Sequence, residues 1–186
     1  MPETNPDETI LVDRAIEGDE DAFGNLYTLH IDAIYRYVYY RIGNVEDAED
    51  LTEQIFLNAW EALPGYKQQG KPFTSWLYRI SHNIVVDYHR NRQRTEISVE
   101  QLNPDDLQRG QRSTLQTVIE KEEVEILAKA ISQLSSEQQQ VIILRFIEGF
   151  SHREVAQILG KKEGACRMIQ YRALSSLQQI WTAFEA

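Results

Sequence analysis

The sequence predicts an all-α protein of two small helical domains joined by a flexible linker. Three observations carry that expectation. Apolar residues recur at three- and four-residue spacing through most of the chain, which gathers them on one face of a helix. Capping residues and Gly or Pro punctuate that pattern repeatedly. Between Arg94 and about Ser113 the periodicity stops. Domains are therefore expected at residues 1–93 and 115–186, with a linker over 94–114.

Residues 7–17 place Leu11, Val12, Ala15 and Ile16 on one side of a short helix, and Gly18 supplies its stop. Asp19 caps a longer helix in which Phe23, Leu26, Tyr27, Ile34, Tyr37 and Val38 keep helical spacing up to Ile42. Gly43 ends it and Asn44 caps the next. Tyr35, Tyr37, Tyr39 and Tyr40 suit either helix packing or stacking on bases. In the helix over 44–63, Ala48, Leu51, Ile55, Ala59 and Ala62 form the core stripe. At about 100° per residue, the opposite face holds Glu46, Glu49, Asp50 and Glu53, then Leu57 and Trp60. An aliphatic side chain and an indole framed by carboxylates resemble an interface core with its rim; a neighbouring helix covering both would account for them equally.

Pro64-Gly65 breaks the chain, and a loop extends to Pro72. A fourth helix is expected over 73–92, with a core stripe of Phe73, Trp76, Leu77, Ile80, Ile84 and Tyr88. Asn83 and Asp87 fall on or beside that stripe, where an unpaired polar group is costly. Trp76, Asn83 and Arg90 are seven apart and share one edge, with Arg79 beside them. Stacking, base-edge and phosphate contacts in a row are what single-stranded DNA binding requires. An internal network, with Asp87 on an arginine and Asn83 capping a loop, explains the same residues. In the linker, Ile97, Val99, Leu102 and Leu107 are too apolar for a free tether and imply docking.

The second domain opens near Leu115 with a charged helix that buries Val118, Ile119, Ile126, Leu127 and Ile131. Ser135 and Ser136 offer overlapping capping boxes with Gln138 and Gln139 for a helix over 137–148. Ser151 and Glu154 form another box; Ala156 is small enough for close helix crossing, and Gly160 permits a left-handed turn. That order is a helix-turn-helix arrangement. The helix over 163–180 is expected to bury Ala165, Cys166, Ile169, Ala173, Ser176 and Leu177 and to expose Arg167, Tyr171 and Gln178. Lys161 and Lys162 stand where such helices meet phosphates, Arg167 where they meet a base edge, and Arg172 to the side, where a phosphate suits it. Surface arginines on a helical hairpin are also common without any DNA.

The net charge of −10 argues against strong DNA binding by the isolated chain. Residues 1–92 carry 8 Lys/Arg against 16 Asp/Glu, whereas residues 121–186 carry 8 of each, so the acidity lies in the first part. A basic partner covering that part would change the balance. No run of about eighteen apolar residues suggests a membrane span, and the acidic N-terminus is unlike a secretory signal, so no membrane insertion and a cytoplasmic location are expected. The single Cys166 excludes an internal disulfide and reads as a small buried hydrophobe. His30, His82, His89 and His152 lie at unrelated positions, and no catalytic or metal-binding motif appears. Neither an enzyme nor a cofactor, metal or small-molecule substrate is expected.

With both halves described, the chain resembles the extracytoplasmic function (ECF) group of the sigma-70 family of bacterial initiation factors. DAEDLTEQIFLNAW is similar to the family's core-polymerase-binding helix, FTSWLYRISHNIVVDYHRNR to its segment for the -10 promoter element, and LSSEQQQVIILRFIEGFSHREVAQILGKKEGACRMIQYRAL to its -35-binding region. The resemblance implies that Asp47, Asp50, Glu53, Gln54, Leu57 and Trp60 dock on the clamp helices of the largest polymerase subunits. It implies that Phe73, Trp76, Arg79, Asn83 and Arg90 bind the -10 element, and that the loop over 65–72 with the helix carrying Asn83 captures a base flipped from the non-template strand in a pocket beside Trp76 and Asn83. Lys161, Lys162, Arg167, Tyr171 and Arg172 would meet the -35 element, and the linker would thread the RNA exit region and active-site approach.

The chain departs from many relatives at Met168, Ile169, Ser175 and Ser176, where they carry a serine or lysine and further arginines, so a sparse -35 contact is implied. It also ends soon after Leu177, so the C-terminal extra domain that some members use for regulation is not expected. Regulation by a separate anti-sigma protein wedged between the two domains is the family-based expectation. The competing reading is a stand-alone helix-turn-helix regulator, which predicts tight operator binding and a dimer seam; the acidity weighs against it.

Overall fold

The computed structural model describes residues 6–67, 72–98 and 115–184. Among them the regular elements are all helical. The first four helices are α1 (Pro6–Ile16), α2 (Glu20–Ile42), α3 (Val45–Ala62) and α4 (Phe73–Ser98). The remaining four are α5 (Leu115–Ser132), α6 (Ser136–Ile142), α7 (His152–Leu159) and α8 (Glu163–Phe184).

Local chemistry fixes the helix ends where the capping signals stand. The Asp19 side chain accepts from the amide of Ala22, and Asn44 accepts from that of Asp47. Gly43 closes α2 at φ 74°, a left-handed conformation that side chains with a Cβ disfavour. Of the two overlapping boxes before α6, Ser135 with Gln138 forms, while Ser136 lends its hydroxyl to Arg41. Ser151 and Glu154 complete the box of α7, and Gly160 ends that helix at φ 64°.

Helices α1 to α4 pack into one bundle around Leu26, Ile34, Tyr37, Val38, Ile55, Phe56 and Leu77. The buried arc of α3 is Ala48, Thr52, Ile55, Phe56 and Ala59; Leu51 is half-buried and Ala62 is exposed. The arc is turned toward Phe56 because α3 is packed by both α2 and α4 rather than lying on one flat core. Tyr37 and Tyr40 are buried, and Tyr35 stacks on Tyr39 at 6.1 Å, so the tyrosine cluster packs the bundle. Helix α4 continues to Ser98, beyond the expected Arg92, since no Gly or Pro intervenes to stop it. The sequence-derived linker residues Val99, Leu102 and Leu107, and much of the loop before Pro72, lie outside the described residues.

Helices α5 to α8 bury Ile131, Val141, Leu144, Val155, Ile158, Cys166 and Ala173. The expected helix over 137–148 is divided: α6 ends at Ile142 and a π turn follows over Ile143–Ile147. Arg145 reaches out of that turn to the Phe150 carbonyl and to Gln170 Oε1 on α8. Ala165, expected inside, is exposed in the first turn of α8.

The two bundles touch. Helix α5 and the π turn pack on α2, and α7 packs on α4. This contact explains why Tyr78, Ser81 and Val85 are buried although they lie off the expected stripe of α4.

Candidate functional site

Three surfaces carry the residues singled out from the sequence. On α3, Leu57 is 58% exposed, and among the described residues no neighbouring helix covers it. Trp60 is half-buried, its ring 4.9 Å from that of Phe23. With Tyr27, Phe56, Glu20 and Glu53 these side chains line a shallow cavity of about 420 Å³. Asp50, Glu53 and Gln54 are exposed, Gln54 bonding Asn58 at 2.6 Å. Asp47 differs: it accepts a hydrogen bond from the Tyr88 hydroxyl at 2.6 Å and lies 3.9 Å from Arg92. The structure thus brings together an apolar centre and an acidic edge, with Asp47 turned toward α4.

On α4 the five residues are spread along the helix. Phe73 is buried, and Trp76 packs against Phe73 and Tyr66 at 5.4 and 4.8 Å, so an aromatic cluster anchors the start of the helix. Asn83 and Asp87 are exposed rather than inside, which removes the burial cost expected for them. Asp87 pairs with Arg90 at 2.8 Å, the arginine partner that the internal-network reading required. From Trp76 to Arg90 this edge runs about 21 Å at 1.5 Å per residue.

On α8, Arg167 is exposed and bonds Glu163 one turn earlier at 2.6 Å. That bond holds the Glu163 carboxyl below its usual range. Tyr171 is 70% exposed and Arg172 is exposed; Lys162 is exposed at the start of the helix. Lys161 is half-buried and bound to Glu137 of α6 at 2.6 Å. Exposed pairs of this kind are weakly held in water, so a phosphate or base edge can displace the carboxylate.

Sequence reasoning missed a fourth group, where the bundles meet. Arg41 is 2% exposed and donates to the Tyr37 hydroxyl at 3.0 Å, to His82 Nδ1 at 3.3 Å and to Ser136 Oγ at 2.9 Å. Gln140 also reaches His82 Nδ1. A guanidinium only donates, so Nδ1 is the unprotonated ring nitrogen. Burial, and next the Arg41 charge, hold His82 below its ordinary pKa. Tyr78, Ser81, His82 and Val85 do recur at helical spacing, but two polar members hid the stripe.

Comparisons with known proteins match two successive stretches of the chain. The family described as Sigma-70 region 2 matches residues 26–95, and that described as Sigma-70, region 4 matches residues 125–177. ECF RNA polymerase sigma factor SigD of Mycobacterium tuberculosis is 30% identical over 172 residues, covering 90% of this chain and 81% of its own. The chain belongs to the ECF RNA polymerase sigma factors. A second member, BldN of Streptomyces coelicolor, is 39% identical over 171 residues, which are 91% of this chain and 64% of BldN, so the chain spans about two thirds of that relative. Among solved structures, CnrH in complex with the cytosolic domain of CnrY aligns with a TM-score of 0.73 at 26% identity, over 96% of this sigma factor and 99% of that chain. The sigma factor RpoE in complex with the anti-sigma factor NepR from Bartonella quintana shares the fold, with a TM-score of 0.67 at 23% identity over 86% and 96% of the two chains. The α3 and α4 surfaces lie in the region 2 match, and α7 with most of α8 in the region 4 match. No helix of the described residues is long and apolar enough to cross a membrane.

Proposed function

We propose that this ECF sigma factor acts as a dissociable, cytoplasmic subunit of bacterial RNA polymerase that directs initiation without chemistry of its own. Residues 1–93 serve as the polymerase and -10 domain and residues 115–186 as the -35 domain. The exposed centre of α3 docks on the polymerase clamp helices through Asp50, Glu53, Gln54, Leu57 and Trp60, with Asp47 at its margin. The α4 edge with Trp76, Arg79, Asn83 and Arg90 meets the -10 element, Phe73 supporting Trp76 from within. Lys161, Lys162, Arg167, Tyr171 and Arg172 meet the -35 element. A separate anti-sigma protein restrains the factor; CnrH, of similar fold, is likewise found in complex with a second protein, the cytosolic domain of CnrY.

One observation carries this reading: Leu57 stands uncovered beside Trp60, with carboxylates around them. A solvated helix face gains nothing from that arrangement, whereas an interface core does. The test adds the purified protein to sigma-free core polymerase on fragmented genomic DNA and maps the 5′ ends of the transcripts. New starts sharing two spaced upstream motifs are expected. No starts and no complex with core, together with tight operator binding by the free protein, would replace the reading by that of a helix-turn-helix regulator.

A further inference from the structure

Glu163 places a carboxylate among the cations of the second bundle. It opens α8, directly after Lys161 and Lys162. Its Oε1 accepts from the Arg167 guanidinium at 2.6 Å, the Arg167 and Glu163 side chains being 61% and 44% exposed. The Arg167 hydrogen bond above all, and after it the charges of Arg167, His152 and Arg153, hold the carboxyl below its usual range. At neutral pH Glu163 is therefore ionised, with acceptors and no donor to offer.

The helix dipole favours a carboxylate in a first turn, which accounts for Glu163 on the free helix but not for its fate against DNA. Phosphates repel it. When Arg167 turns to O6 and N7 of a guanine, the commonest specific arginine contact in the major groove, Glu163 loses its partner while pressed against the base edges. A charge left there without a hydrogen bond is costly, so its new partner must be a donor. The major groove offers two, the N4 amino group of cytosine and the N6 amino group of adenine. Adenine sets its N7 acceptor beside N6, which repels a carboxylate and leaves cytosine as the match. Reach narrows the position as well. The Glu163 and Arg167 heads meet at 2.6 Å, less than the ~3.4 Å rise of one base-pair step, so the two side chains serve adjoining base pairs.

We infer that Glu163 is a specificity-determining residue of the -35 surface, accepting a hydrogen bond from the N4 amino group of a cytosine in the base pair next to the guanine that Arg167 meets. This rests on the promoter reading given above and adds a second base to it.

Holoenzyme reconstituted from core polymerase and the full chain, transcribing a promoter library randomised through the -35 element, tests each position separately. The wild type should prefer a guanine and an adjoining cytosine. Glu163→Ala should lower the cytosine preference roughly tenfold and keep the guanine preference. Glu163→Gln should exchange the preferred cytosine for adenine, because a carboxamide accepts from N6 and donates to N7. Such an exchange cannot come from a damaged fold, and helicity by circular dichroism should match the wild type in both variants. A wild type indifferent to the adjoining base, or a cytosine preference unchanged in both variants, overturns the inference. A uniform gain on every promoter also overturns it, leaving Glu163 a repelling charge and nothing more. A loss confined to the guanine position overturns it too, making Glu163 a prop for Arg167. Those three results leave the promoter reading standing, whereas wild-type holoenzyme that starts on no library member overturns that reading and the inference with it.

Discussion

The Tyr88 hydroxyl donates to Asp47 at 2.6 Å, joining the far half of α4 to the first turn of α3, and Arg92 donates to the same hydroxyl at 2.9 Å. Asp47 is thus engaged inside its own bundle, while Asp50 and Glu53 face solvent. Tyr88→Phe should lower stability in urea unfolding by about 1 kcal/mol and leave polymerase affinity intact. A matching loss of affinity would place Asp47 at the centre of the docking face.

Asp50→Lys combined with Leu57→Ala should abolish binding to core polymerase in a pull-down or titration. Both side chains are exposed, so helicity and the thermal midpoint should hold. Undiminished affinity would remove the α3 face from the interface.

Asn83→Ala should relax base preference at one position of the -10 element. The readout is transcript mapping on a promoter library. Unchanged promoter choice would mean that the base pocket lies elsewhere on α4.

Arg167→Ala should cost about 1–3 kcal/mol at a single -35 base pair, measured as competition between promoter variants bound by the holoenzyme. Equal losses on every sequence would reassign Arg167 to a phosphate.

Acid should weaken the seam. His82 faces Arg41 of α2 and Gln140 of α6, both of which also bond the Tyr37 hydroxyl, and it shares the cleft with Arg79 of its own helix, Ser136, Glu137 and Lys161. Its pKa is depressed from 6.5 by burial and then by Arg41, so between the two values the unfolded chain holds more protons than the folded one. The associated stability is complete above pH 6.5 and is lost as pH falls through the lowered value. His89 is depressed by the same two causes and acts in the same sense. Urea unfolding from about pH 8 to pH 5 should therefore show a falling free energy, with a shallower slope in His82→Gln. An identical slope would assign the effect to His89.

Much of this fold is legible in the sequence because helix ends are decided locally. Asp19, Asn44, Ser135 and Ser151 each bond an amide three residues on, and Gly43 and Gly160 take the conformation their position requires. The Leu57 and Trp60 face is legible for a related reason: periodicity assigns the opposite face to the core, and what remains must be explained. Pattern fails where a helix has two partners. Thr52 and Ser81 are buried because they return their hydroxyls to carbonyls of their own helix, Ala48 and Leu77, which a hydropathy pattern does not register. Arg41 is buried against a partner, Ser136, that lies 95 positions away, which no local pattern registers.

Arg41 also says something about how tightly the halves adhere. Its Nε has no hydrogen-bond partner, and the side chains that it does meet are neutral. Separation would return that guanidinium to water, a gain in hydration that offsets part of the contacts given up. A hydrocarbon of similar length there would glue the halves more firmly, as apolar replacements of buried charges often do. The charge keeps the joint reversible, so that an assembled molecule can still be taken apart by a partner that binds only one half.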